Sequence, residues 1–171
     1  MIRTNRSTLD NFSRHTDSYL PMSLMEWFWP DPRLRAIGTL EAVAARYRSL
    51  AANLREHAEI CKYPTIRAGL EGLAAREEIQ TDALKAFLAN EGRKLETGVI
   101  VHLDGASNWQ RLKADLALQT QMLSDLNRAI VLLEGHDHHA AARLRDIAAE
   151  EERNLCDLGD LVLKCDTQAL D

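Results

Sequence analysis

Apolar residues recur every three or four positions along most of residues 32–166, and this spacing predicts long amphipathic helices. Asp31 followed by Pro32 predicts an N-cap and first turn, so the first helix should begin there and run to about Cys61. Its predicted inward residues are Leu34, Ile37, Ala44, Ala51, Leu54 and Ala58. This pattern indicates a helical rather than a sheet structure.

Turn and capping residues bound three further helices. The turn "KYPT" precedes the second helix and Gly92 ends it, because proline restricts the residue before it and glycine favours helix ends. Ser107 and Gln110 have the spacing of a capping box at the start of the third. The predicted bounds are Thr65 to Glu91, Ser107 to Gly135, and Asp137 to about Cys165. The fold class is therefore predicted to be all-α, a four-helix bundle.

The connections differ in length, and this constrains the topology. Only a few residues join the first helix to the second and the third to the fourth, so each pair should be an antiparallel hairpin. The 15 residues of 92–106 span roughly 50 Å when extended, enough for a crossover along the whole bundle. Alternatively, "VIVHL" within this segment forms a short strand-like stretch packed outside the bundle.

Composition narrows the function classes. The 171 residues are enough for one domain with a core, predicted over 32–166, with a polar tail and aromatic segment at 1–31 and a C-terminal tail at 167–171. A net charge of -5 argues against nucleic-acid binding. We see no signal peptide and no membrane span, and we expect a cytoplasmic protein without membrane contact. The three cysteines are predicted to be reduced, buried thiols.

Every predicted helix has polar residues inside its apolar stripe near the middle. These positions are Glu41 on the first helix, Glu77 and Gln80 on the second, Gln119 on the third, and Glu151 and Asn154 on the fourth. On the third helix a slightly different winding would turn Asp115 or Asp125 inward instead. Buried carboxylates are costly unless they are paired, hydrogen-bonded or bound to a cation. A convergent polar layer of this kind is the layout of a metal centre.

The stretches "GTLEAVAARY", "LAAREEIQTDAL" and "IAAEEERNLCDL" resemble the ferritin-like superfamily, in particular its rubrerythrin type. In that family a Glu from each of two helices and a Glu-x-x-His from each of the other two hold a di-iron or di-manganese pair. The resemblance implies a ferritin-like bundle with the crossover, and ligand positions at Glu41, Glu77 and Glu151. Gln80 and Asn154 stand where the family has histidine, and Gln119 is the polar candidate on the third helix.

This altered residue set leaves two chemical alternatives. If the amides turn their carbonyls inward, the site offers only oxygen donors and suits a single divalent metal, namely Mn, Mg, Ca or Fe. If they turn their NH2 groups inward, they donate to the carboxylates and no cofactor is expected. Without a cation, a carboxylate of the cluster should have a raised pKa.

The predicted function follows from the departures from the family pattern. We expect a non-catalytic bundle with an eroded di-iron centre, acting as an assembly or interaction module. The alternative is a metal-binding redox or iron-handling protein with an unusual ligand set, and a third possibility is a small-ligand pocket in the vacated cavity. The sequence does not settle whether the chain is an enzyme.

Some residues outside the polar layer are predicted to contact a partner or to lie at the surface. Trp27, Phe28 and Trp29 are apolar and precede two prolines, so we expect them to contribute to a homo-oligomer or to a contact with a protein partner. The histidines of "GHDHH" should lie in water while Asp137 caps the fourth helix, and His57 is expected on a solvated helix face.

Overall fold

The computed structural model describes residues 31–95 and 99–166, so Trp27, Phe28 and Trp29 and the C-terminal tail lie outside the described residues. Within them the chain forms four helices: α1 (Pro32–Ile60), α2 (Pro64–Asn90), α3 (Asn108–Glu134) and α4 (His138–Asp166). The same ranges contain no strand. The prediction of an all-α four-helix bundle is confirmed, with bounds within one or two residues of those expected.

Side-chain hydrogen bonds explain where α1, α3 and α4 begin. The Asp31 carboxylate accepts from the backbone N–H of Arg33 at 2.8 Å, and the Ser107 hydroxyl accepts from that of Gln110 at 3.2 Å. At α4, the Asp137 carboxylate accepts from the backbone N–H of Ala140 at 2.9 Å. Each cap satisfies a backbone donor that the first helical turn leaves without a partner.

Gly92 ends α2 in a left-handed backbone conformation, with φ of +72°. The next residue, Arg93, then donates its backbone N–H to the Leu88 carbonyl at 2.9 Å, which closes the end of the helix. Only glycine adopts this conformation without strain, so the predicted stop residue has a direct structural role.

The helix directions establish the crossover. α1 packs against α2 and α3, while α4 packs against α3 and α2. An ion pair of 2.7 Å between Arg33 and Glu91 places the end of α2 beside the start of α1. Asn108 donates to the Cys61 sulfur at 3.9 Å, so α3 starts at the opposite end, where α1 finishes. α2 and α3 are therefore parallel, and the predicted crossover is confirmed; this arrangement is compatible with a ferritin-like fold.

The crossover lies in an extended conformation along the outside of α1. Asn53 donates to the Val101 carbonyl at 3.0 Å, and the Val101 N–H donates to the Ser49 hydroxyl at 3.2 Å. His57 makes the next contact along the helix, with the Leu103 carbonyl at 3.1 Å. Ser49, Asn53 and His57 are four residues apart and so share one helix face. Side chains of α1 thus make the backbone hydrogen bonds that a neighbouring strand would make in a sheet.

Two burial predictions outside the polar layer, for Leu34 and Cys156, are wrong. Leu34 is 54% exposed, because Ala36 and Ile37 occupy the inward face of the first turns of α1. Cys156 is exposed while Cys61 and Cys165 are buried. Nine residues separate Cys156 from Cys165, which is two and a half helical turns, and so they lie on opposite faces of α4. In the described part of the chain, no helix has an apolar stretch long enough to cross a bilayer.

Candidate functional site

A buried polar cluster occupies the middle of the bundle, with at least one side chain from every helix. Tyr47 comes from α1, Glu77 from α2, Gln119 from α3, and Glu151 and Asn154 from α4. Each of these residues is at most 1% exposed. Their positions continue the apolar stripes of their helices, so the packing that buries the core also brings these polar groups together.

Glu77 is the hydrogen-bonding centre of this buried cluster. Its Oε1 atom accepts from the side-chain amide of Gln119 at 3.0 Å and from that of Asn154 at 2.9 Å. The oxygen of the Asn154 amide accepts in turn from Nε of Arg76 at 2.7 Å. Arg76 also reaches Asp157 at 2.5 Å at the surface. A continuous chain of hydrogen bonds therefore connects the surface to the buried carboxyl of Glu77.

Both buried carboxyl groups bind a proton more readily than they would in water. Burial raises the pKa of Glu77 well above its usual range, and the negative charge of Glu151 raises it further. Burial likewise raises the pKa of Glu151 to about 7. Because Oε1 of Glu77 accepts both amide N–H groups, Oε2 is the oxygen left to carry the proton.

Five buried oxygen atoms of the cluster make no hydrogen bond of normal geometry with the described residues. They are Tyr47 Oη, Glu77 Oε2, Gln119 Oε1, and Oε1 and Oε2 of Glu151. Burial, together with the charges of Glu151 and Glu77, raises the pKa of Tyr47, so its phenol stays neutral. The phenol O–H and a protonated Glu77 supply two donors for the remaining three oxygens. A proton on the carboxyl pair thus relieves part of the cost of burying them.

Two predicted site residues lie apart from the hydrogen-bonded network. The side chain of Glu41 is 37% exposed and its carboxylate is 3.8 Å from Arg93, beyond the C-terminal end of α2. Leu40, Ala44 and Tyr47 take the inward face of α1, and Glu41 flanks that face. The expectation that three carboxylates meet is therefore corrected to two. Gln80 is buried at 8% exposure, one turn along α2 from Glu77, with no hydrogen bond to another described side chain.

A second buried polar pair joins α1 to α3 and was expected in water. His57 is 3% exposed and Asp115 is fully buried, and Nδ1 of His57 lies 2.6 Å from the Asp115 carboxylate. Burial alone would lower the pKa of His57, but the hydrogen bond and charge of Asp115 outweigh it and the pKa is raised. The expectation of a solvated His57 is wrong, because the crossover covers that face of the helix.

The alternatives left open for α3 are resolved by these contacts. Gln119 faces the carboxyl pair, Asp115 faces His57, and Asp125 accepts a hydrogen bond of 2.5 Å from Arg46. All three are buried. At the turn before α4, Asp137 caps the helix and His136, His138 and His139 are exposed, as expected.

The residues brought together do not fit a pair of metal ions. A dimetal centre of the ferritin-like type uses four carboxylates and two imidazoles. This cluster has two carboxylates, and both amides that contact Glu77 present N–H donors to it. In the described ranges, no three His, Cys, Asp or Glu side chains lie close enough together to hold a metal ion.

Comparison with known proteins gives no assignment for this chain. No family model matches the sequence, and no curated protein is similar enough to be recognised as a relative. The functional interpretation therefore depends on the residues of the buried cluster themselves.

The sequence contained a partial indication of the missed residues. Tyr47 follows Ala44 by three residues and precedes Leu54 by seven, so its spacing predicts a buried aromatic side chain. The spacing does not predict a polar contact of its hydroxyl. His57 lies four residues after Asn53 on the same face, and two polar residues on one face are typical of a solvated surface. Only the path of the crossover shows what covers it.

Proposed function

We propose that this chain is a non-catalytic, ferritin-like helical bundle with an eroded di-iron centre, and that it acts as an assembly or interaction module. The observation that carries the proposal is the set of hydrogen bonds that Glu77 accepts. Its Oε1 atom accepts two amide N–H groups at 3.0 and 2.9 Å, which are the contacts of an all-protein hydrogen-bonded layer. A proton between Glu77 and Glu151 then replaces a metal as the stabilising partner.

The family resemblance is supported by position as well as by composition. Glu77 and Glu151 come from the stretches that resemble the family, lie on different helices, and contribute to one buried layer in a bundle with the crossover. The helix α1 position of this layer is occupied by Tyr47 instead of a carboxylate, and that of α3 by Gln119 instead of a carboxylate. Loss of these two anionic ligands supports a structural role over oxygen chemistry.

Metal analysis of the protein purified without chelator tests this proposal. We expect less than one Fe or Mn per chain, and a stoichiometric Fe or Mn content would contradict a non-catalytic bundle. A second arm uses the double variant Gln80→His and Asn154→His, which restores both Glu-x-x-His motifs. Because Tyr47 and Gln119 remain, we expect the restored protein to bind Co2+ without reaching two ions per chain. Two ions per chain would show that the dimetal site survives.

A second candidate function is binding of a single divalent cation, and one observation favours it. The five unpartnered oxygens of Tyr47, Glu77, Gln119 and Glu151 come from all four helices, and oxygen donors suit Mg, Mn or Ca. Calorimetric titration with Ca2+ and Mn2+ separates the two candidates. Binding that is lost in Glu151→Gln but retained in the exposed control Glu152→Gln would favour the cation.

Exposed apolar side chains support an interaction role. Val99 is 89% exposed and Val101 60% exposed on the crossover. On the helices, Ile79, Val131 and Leu163 are each about two thirds exposed. The two crossover valines, with the aromatic segment at Trp27, Phe28 and Trp29, support a homo-oligomer or a protein partner, whereas single exposed apolar residues on the helices are ordinary for a protein surface.

A further inference from the structure

The orientation of the Asn154 amide is fixed from outside the buried cluster. Nε of Arg76 donates to the Asn154 oxygen at 2.7 Å, so the oxygen points toward the groove between α2 and α4 and the NH2 group points to Glu77. An amide presents either a donor or an acceptor on one side, never both. While Arg76 holds the oxygen, Asn154 has no carbonyl to offer to a cation in the cluster.

Arg76 is itself held in place by a second contact. Its Nη2 atom is 2.5 Å from the carboxylate of Asp157, one helical turn from Asn154 along α4. Gly72, Leu73 and Asp160 line the same groove between α2 and α4. The side chains of Arg76 and Asp157 are 43% and 57% exposed, whereas Asn154 is 1% exposed. The guanidinium therefore links a solvent-exposed groove to a fully buried amide.

We propose that Arg76 selects the occupant of the buried cluster. By holding the Asn154 oxygen on the groove side, it presents an N–H donor instead of a carbonyl oxygen to Glu77, so the cluster lacks an oxygen ligand and rejects a divalent cation. If the guanidinium is removed, the amide is free to turn, and Asn154 then presents a carbonyl oxygen to a cluster that already contains buried oxygens of Tyr47, Glu77, Gln119 and Glu151. Oxygen donors are the ligands that Mn2+ and Mg2+ prefer. The inference rests on the proposed function, in which a proton stands in for the metal.

The experiment measures Mn2+ affinity from the loss of the free-ion electron paramagnetic resonance signal, in the parent and in Arg76→Met. Methionine keeps an unbranched apolar side chain of similar reach but removes the donors. We expect the variant to bind Mn2+ about tenfold more tightly than the parent, which is the size of effect typical of residues that orient metal ligands. Equal affinities in the parent and the variant would overturn the inference.

Two controls separate amide orientation from charge. Arg55→Met removes a cation from an exposed ion pair with Glu78 and should leave Mn2+ affinity at the parent value. The double variant Arg76→Met with Asn154→Ala should lose the gain, because the turned amide is absent. A gain that persists in the double variant would show that charge alone is responsible and would overturn the role of Asn154.

A milder variant keeps the test valid if Arg76→Met fails to fold. Asp157→Ala changes an exposed residue and only loosens the guanidinium, so a smaller gain of about twofold to threefold is expected. No gain would then overturn the inference. A different result would refute the proposed function but not the role of Arg76. In that result the parent itself binds Mn2+ stoichiometrically, and Arg76→Met binds it about tenfold more tightly still.

Discussion

Glu151 and Glu152 are adjacent in the chain but differ completely in environment. Glu151 is fully buried beside Glu77, and its pKa is raised to about 7 by burial, whereas Glu152 points to solvent. A carboxyl whose pKa is higher in the folded than in the unfolded state binds more protons when folded. Its contribution to stability is then present at low pH and is lost as pH rises.

The stability of the bundle should therefore fall between about pH 4.5 and about pH 8, as pH rises from the unfolded pKa through the folded pKa of Glu151. From the raised pKa of Glu151, the loss is on the order of 3 kcal/mol, since one pKa unit corresponds to ~1.4 kcal/mol. Glu151→Gln should flatten this dependence and Glu152→Gln should leave it unchanged. Urea unfolding across the pH range measures both. A parent protein more stable at pH 9 than at pH 6 would contradict the shared proton.

At the scale of the elements, α2 and α4 approach closely at one glycine. A Cβ atom added at Gly69 would lie 2.9 Å from the side chain of Leu161, whereas one added at Gly72, three residues on, would meet nothing within 4 Å. A side chain at Gly69 would therefore have to displace the end of the Leu161 side chain between the two helices. Gly72 faces the groove and only weakens the helix that contains it.

Substitution of these two glycines should change the stability of the bundle in opposite directions. Gly69→Leu should destabilise the bundle by about 1–3 kcal/mol, because the larger side chain forces α2 and α4 apart. Gly72→Ala should stabilise it by about 0.5–1 kcal/mol through helix propensity. Chemical unfolding of both variants at one pH tests the pair. A stabilising Gly69→Leu would show that the two helices are not in close contact there.

The crossover contacts a buried hydrogen-bonded pair, His57 of α1 and Asp115 of α3. Asp115→Ala leaves His57 buried without its partner, and an unsatisfied buried polar group costs about 1–3 kcal/mol. The exposed pair of His102 and Glu56 is the matched control, and His102→Ala should change stability by less than about 0.5 kcal/mol. Amide hydrogen exchange at Leu103, whose N–H donates to Asn53, should accelerate in Asp115→Ala alone. Unchanged exchange would mean that the pair does not hold the crossover.

At the scale of the whole molecule, the chain has more apolar surface than the bundle core uses. Exposed valines lie on the crossover, and the aromatic segment precedes α1. Buried aromatic side chains at a subunit contact contribute about 2 kcal/mol or more each to association. This surplus of apolar residues at two places supports assembly rather than a monomer.

We predict a homodimer or larger assembly that depends on the aromatic segment. Trp27→Ala with Trp29→Ala should shift the solution mass toward the monomer and leave helical content unchanged, as measured by analytical ultracentrifugation and circular dichroism. Val131→Ser, on an exposed helix face, is the control for loss of a surface apolar residue. A monomeric parent at micromolar concentration would refute the assembly prediction.

The sequence by itself determined the helices and the positions of their polar residues. Asp31, Ser107 and Asp137 cap helices through contacts within one turn, and Gly92 ends α2 through its own backbone freedom. These interactions are local, so residue order is enough to predict them. The inward positions of Glu77 and Glu151 follow equally from helical periodicity.

Only the tertiary structure decided what these residues contact. Glu41 turned out to flank the buried face of α1, Tyr47 took its place, and His57 was covered by a crossover 46 residues away in sequence. The orientation of Asn154 depends on Arg76 from another helix, 78 residues away. Each outcome is set by a neighbouring helix or segment, because side-chain partners in a bundle depend on helix rotation and packing that periodicity along one helix does not specify.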